Sequence, residues 1–357
     1  MTPLPEVLDA AKKILSYSLR GGMIFLVSTF LFSMFLGFFI MLISPGGSSF
    51  SQNVLEGFPL GLLVLFVVKV PVRTTYGIAF IFLWAIYLIC FAIVWRTNGG
   101  FVNALKFRTP GPAISARSNF LFLYPALSSS LLVLVVLIQG FQEASGVPTG
   151  SIEFKDTYRG LFELTYSPLF EELMFRISPF VLYWAVRLGL LFARRGICDP
   201  IVYSRALLSS IAFPDRAKEN LGLVNVRTLG IRRGIALGEW VLILLTSMIF
   251  GLAHYLSGSG WEIGKISSSF VAGLVFSIAY LTFGFPAPIL LHWFFNYYFY
   301  VYEVAAQNYN FLFKSLGDII EYTVQIVGGA VLVILSIPVL RRITGKFAAT
   351  ANLETNT

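Results

Sequence analysis

Both histidines of this chain sit in hydrophobic surroundings beside a partner at helical spacing. His254 closes the run Phe250-Gly-Leu-Ala-His254, and His292 opens His292-Trp-Phe-Phe-Asn296. A third apolar stretch carries Glu171-Glu172-Leu-Met-Phe-Arg176. Ionisable and imidazole groups are costly in hydrocarbon, so those inside a membrane mark functional positions by default. Glu172 and Arg176 stand four apart in the favourable acid-before-base order, while Glu171 projects about 100° away around a helix. One carboxylate is thereby neutralised and the other left to take a proton, as general acid–base work requires. His292 and Asn296, also four apart, each offer an N–H donor, and convergent donors are what a developing oxyanion needs. Without chemistry, the same pairs would orient and bridge helices. For His254, with Phe250 one turn earlier, three roles stand open: helping a carboxylate polarise water, coordinating a metal with Glu171 and His292, or packing alone.

These residues need elements to hold them, and composition says which kind. Only 12% of residues are charged and 57% are hydrophobic, against roughly 25% charged in soluble domains; the mean hydropathy is +0.78. Windows near the ~20 apolar residues that a span needs occur at Gly22–Ile43, Ile78–Trp95, Phe120–Ile138, Tyr166–Leu191, Ala236–Tyr255, Ile266–Phe283, Pro286–Val304 and Thr323–Leu340. The pattern predicts an all-α integral membrane protein with about eight transmembrane helices in one bundle. Phe58–Val68 is too short to span and reads as a re-entrant or interfacial piece. Pro168 and Pro179 bracket the Glu171–Arg176 cluster, which predicts a bent helix around a hydrated pocket.

Three regions are expected along the chain. Residues 1–21 read as an amphipathic interfacial helix, with Val7, Leu8, Ala11, Ile14, Leu15 and Leu19 interleaved with Lys12, Lys13 and Arg20. Residues 22–342 form the bundle, and 343–357 a disordered polar tail. The first apolar window ends in Ser44-Pro-Gly-Gly, so no cleavable targeting segment is expected. Turn residues Thr109–Pro112 divide the 96–119 loop, and the 192–235 loop is the largest soluble piece. With the N-terminus inside, 18 of the 26 Lys and Arg residues fall on inner segments and six on outer ones. The net charge of +8 therefore records topology, with some pull on anionic lipid, and a nucleic-acid partner is not expected. This orientation puts Glu171 and His254 nearer the outer face. Cys90 and Cys198 give neither a disulfide framework nor a thiolate metal site.

Simpler catalytic designs are missing: there is no His-Glu-x-x-His zinc helix, no Gly-x-Ser-x-Gly elbow and no intramembrane aspartate pair. The ordered set Glu171-Glu172-Leu-Met-Phe-Arg176, Phe250-Gly-Leu-Ala-His254 and His292-Trp-Phe-Phe-Asn296 resembles the CAAX prenyl endopeptidase and bacteriocin-processing (Abi, CPBP) family of intramembrane glutamate proteases, over a core at about 165–305. The resemblance implies a membrane endopeptidase in which Glu171 and His254 activate water and His292 and Asn296 stabilise the oxyanion. Glu172, Arg176 and Phe250 would support them. No cofactor is favoured; the alternative is one zinc on Glu171, His254 and His292. The implied partner is a membrane-associated or exported peptide or protein, met at the lipid bilayer, and the implied location is the cytoplasmic (inner) membrane of a prokaryote. A non-catalytic immunity or scaffold protein of the same fold is the alternative function. A transporter is a third, weakened by the absence of repeat symmetry.

Overall fold

In the computed structural model, which describes residues 4–106, 118–309 and 311–354, the apolar windows become helices ended by local capping chemistry. Helix α1 (Leu4–Leu42) runs unbroken through the amphipathic stretch into the first span, and the short α2 (Pro45–Ser51) follows. Strands β1 (Val54–Leu62) and β2 (Phe66–Thr75) precede α3 (Tyr76–Arg96), the short α4 (Phe101–Lys106) and α5 (Phe120–Ala144). The Thr75 hydroxyl accepts from Ile78 N at the start of α3, and Asn119 Oδ1 accepts from Phe122 N at the start of α5. Asp156 caps α6 (Thr157–Glu172), which passes through a π-helical turn, π1 (Leu173–Ile177), into α7 (Ser178–Arg195).

Helices α8 (Pro200–Ala212), α9 (Pro214–Asn220) and α10 (Val226–Gly234) build the large basic loop. Then come α11 (Leu237–Leu256), α12 (Lys265–Phe283) and α13 (Pro286–Trp293), a second π turn, π2 (Phe294–Tyr298), α14 (Phe299–Asn308) and α15 (Phe311–Glu354). Seven segments among the described residues are long and apolar enough to cross a membrane. The protein is an α-helical integral membrane bundle.

The expected span Pro286–Val304 is not one helix but α13, π2 and α14 in series. Every residue of α13 is buried, so this element is the central post of the bundle and is apolar on all sides for that reason. Around it, α1, α3, α5, α12 and α15 form one packed core, while α7, α11 and the far end of α12 form a second with the basic loop. The outer rim stays apolar: Phe32, Phe35 and Phe39 of α1, Phe82 of α3 and Leu244, Leu245 and Met248 of α11 are exposed, as lipid-facing positions should be.

One expectation gains its structure and another changes. Phe58–Val68, expected as a re-entrant or interfacial piece too short to span, is the heart of an antiparallel hairpin, with Leu62 paired to Phe66 and Val54 to Thr75. The Val-rich sequence of β2 favours strand, and pairing satisfies half of the backbone groups of each strand. The hairpin turn holds Leu63 and Val64 at φ 49° and 72°, costly for non-glycine residues. Bonds from Leu63 N to Ser178 Oγ (2.8 Å) and from Val64 N to Met174 O (3.2 Å) hold it against π1. The tail expected to be disordered instead continues α15 to Glu354, since nothing after Gly345 interrupts a helix-forming sequence. Residues 355–357 and the Thr109–Pro112 turn lie outside the described residues.

Candidate active site

Pro179 explains the first π turn. It lacks an N–H, and its ring opposes the carbonyl four residues back, at Phe175, inside π1. The helix widens there rather than breaking, and the cluster Glu171, Glu172 and Arg176 straddles the widened turn. The second π turn carries Asn296 and begins two residues after His292. Such π turns concentrate at functional sites; no proline or glycine marks this one.

Glu172 and Arg176 are fully buried and joined at 3.0 Å. The same Glu172 Oε1 accepts from His292 Nδ1 at 2.8 Å, so one carboxylate oxygen ties the fourth span to the central post. The Arg176 guanidinium lies over the Phe250 ring, 4.0 Å from its centroid, a cation–π contact strengthened by desolvation. Gly273 makes room for it: a Cβ there would stand 3.0 Å from Arg176 Nη2 and 3.1 Å from Ser247 Cα. Glu171, whose side chain is 20% exposed, reaches the other ring nitrogen, His292 Nε2, at 3.6 Å. The two adjacent glutamates thus differ as their 100° separation predicts, one fully buried and one partly exposed.

His254 stands in the last turn of α11, edge-on to Phe250 at 4.6 Å, and Phe250 meets His292 at 5.7 Å. Both histidines and all three motifs therefore gather around one phenyl ring. His254 Nδ1 is 2.9 Å from the Phe250 carbonyl. A carbonyl only accepts, so Nδ1 carries the proton and a neutral ring keeps its lone pair on Nε2. Asn296 Nδ2 donates to Ser167 Oγ at 2.8 Å, leaving its second N–H for another acceptor. His254, His292 and Asn296 line a cleft of about 360 Å³.

Sequence reading missed several neighbours. Lys265, at the first residue of α12, lines the same cleft, and its Nζ rests 3.7 Å from the Trp261 ring centroid; it had counted only as one outer basic residue. Paired backbone between Thr149–Ser151 and Gly260–Glu262 holds this corner, with Ser151 N donating to Gly260 O and Glu262 N to Thr149 O. Phe276 stacks on His292 at 5.2 Å. Ser167 was within reach of inspection, since it lies one helical turn before Glu171.

As for a metal, Glu172 and Glu171 face the two nitrogens of His292, and the Phe250 carbonyl takes one nitrogen of His254. Among the described residues no three His, Cys, Asp or Glu side chains are grouped as a metal ion would require.

No curated protein and no solved structure matches the chain. A family model does: residues 154–298, the segment that holds all three motifs, match the family described as Type II CAAX prenyl endopeptidase Rce1-like, and over this segment the protein is similar to that family.

Proposed function

We propose that this protein is an intramembrane endopeptidase that hydrolyses a peptide bond in a membrane-associated or exported peptide or protein, by a metal-free glutamate mechanism. The observation that carries the reading is that His254, His292 and Asn296 line one cleft while Glu171 reaches His292 Nε2 at 3.6 Å, backed by a buried Glu172–Arg176 pair. A water held between Glu171 and His254 Nε2 attacks the scissile carbonyl, and Glu171 takes its proton. The carbonyl oxygen gains the negative charge and is stabilised by the spare Asn296 N–H and by the His292 ring. Glu172 accepts from His292 Nδ1 and so holds that ring in place. Collapse of the tetrahedral intermediate breaks the C–N bond, and the proton on Glu171 passes to the leaving amine.

The cleft runs from the His254–Lys265 corner, where α11 ends and α12 begins, along α12 to Phe276 and across to His292 and Asn296, and that corner lies away from the basic loops. With positive charge inside, it opens outward, which favours an exported substrate over a cytosolic prenylated one and fits the inner membrane of a prokaryote. The test compares protein termini in membranes and secreted fractions of the native host carrying wild-type protein or Glu171→Ala at matched abundance. Termini that vanish with the variant are expected and would name the substrates. Identical termini would move the assignment to a non-catalytic scaffold of this fold.

A further inference from the structure

The basic face holds a second, shallow hollow, which the catalytic reading leaves unused. Its rim is made where three spans end: Thr97 just after α3, Phe120 at the first residue of α5 and Phe283 at the last residue of α12. Polar groups enter from the side. Arg216 Nη2 and Arg227 Nη2 donate to one and the same acceptor, Asn98 Oδ1, at 2.8 and 3.1 Å. Asn98 is aimed by its own amide nitrogen, which donates to Ser118 O at 2.9 Å. Two guanidinium groups thus converge on a single neutral oxygen.

The surrounding charges do not account for this. Asp215 also borders the hollow, but its carboxylate accepts from Val226 N at 2.5 Å and Arg227 N at 3.0 Å, and Lys218 stands 3.9 Å away. Lys218 in turn meets Glu239, which Arg187 approaches at 3.9 Å. That buried set, two acids and two bases, balances itself. Arg227 has Glu219 at 3.5 Å. Arg216 is left over: among the described residues no carboxylate stands within 4.0 Å of it. Burial and the neighbouring Arg227 charge hold its guanidinium below the usual arginine range, against a smaller upward pull from Glu219. A fork of N–H donors at this spacing suits a tetrahedral oxyanion better than an amide.

We propose that Arg216, Arg227 and Asn98 form a binding site for a phosphate group on the basic face of the protein. The ends of three spans put the site at headgroup depth, where the phosphate of an anionic lipid and free phosphate are both within reach. It borders the end of α12 opposite Lys265, seven residues or about 10 Å along that helix beyond Phe276, the last α12 residue of the catalytic cleft, and shares no lining residue with that cleft.

The experiment uses the full-length protein, delipidated in dodecyl maltoside, which contributes no phosphate. Short-chain phosphatidylglycerol, inorganic phosphate and the matching diacylglycerol are titrated separately, with thermal unfolding and native mass spectrometry as readouts. Phosphatidylglycerol is expected to bind and raise the unfolding temperature, while the diacylglycerol, lacking phosphate, does neither. Stabilisation by inorganic phosphate as well would assign the site to the anion itself; its absence would assign it to the lipid. Losing one charge-assisted contact, R216Q should weaken binding about 10–100-fold. R232Q/R233Q, which removes two cations from the same face outside the hollow, should leave binding unchanged. If R216Q fails to fold, N98D supplies a built-in carboxylate to both guanidiniums and should abolish binding. Equal binding of the diacylglycerol, equal weakening by R232Q/R233Q, undiminished binding in N98D, or no binding at all would overturn the proposal.

Discussion

Glu172→Gln tests the architecture of the site at its most committed residue. The substitution keeps the shape of the side chain and removes one charge from a pair that is fully buried at 3.0 Å. At an effective permittivity near 20, two unit charges at that separation attract by about 5 kcal/mol. Arg176 would remain buried against Phe250 without its partner, and Gly273 and Ser247 leave it no route out. Breaking one side of such a pair costs about 3–5 kcal/mol; that is the expected loss, and Glu171, farther away, restores only part of it. The assay is unfolding in mixed micelles titrated with sodium dodecyl sulfate, followed by far-ultraviolet circular dichroism. Glu172→Gln combined with Arg176→Met removes both charges and should recover at least half of the loss, because no unpaired cation is left. A single variant within about 1 kcal/mol of wild type would refute the reasoning, since the pair would then not be desolvated as its burial implies.

Other outcomes follow from the same geometry. Glu171→Gln should cut turnover of a membrane-anchored fluorogenic peptide by about 10²–10⁴-fold with stability unchanged to about 0.5 kcal/mol; retained turnover would remove Glu171 from the mechanism. Asn296→Ala should lower kcat by about 10²–10³-fold and leave KM nearly unchanged, whereas a change confined to KM would make Asn296 a binding residue. Gly273→Ala adds a methyl 3.0 Å from Arg176 Nη2 and should cost about 1–3 kcal/mol by overpacking; a neutral result in the same micelle titration would mean that α12 yields.

The sequence made the spans and the ingredients of the site legible, because charge and imidazole are rare in hydrocarbon and stand out there. The spacing of Glu172 and Arg176 led directly to their ion pair, and the angular offset of Glu171 to its different exposure. What stayed hidden depended on contacts far apart in the chain. Nothing local announced that Glu172 would also hold His292, 120 residues away, or that Phe250 would serve as the surface on which both histidines meet. The hairpin was missed because an apolar run of that length fits a short buried helix as well as a strand. Lys265 was missed because a lysine at the start of a span is ordinarily an interfacial anchor.

The two π turns give the chain a counting problem. Each contains one residue more than the helix around it needs, so excising any single residue from Leu173–Ile177 would repair the backbone into regular α-helix. The shortened helix would be unobjectionable as a membrane segment and its flanks would stay in phase, yet the wider turn that spaces the site residues would be lost. A deletion between Glu172 and Arg176 would leave that pair three apart rather than four, changing the geometry with which Glu172 holds both Arg176 and His292. In this protein the residue count of a helical turn, beyond the identity of its residues, carries the site. One-codon deletions in these two turns should therefore spare insertion while abolishing function, a combination that ordinary substitutions in a packed bundle seldom produce.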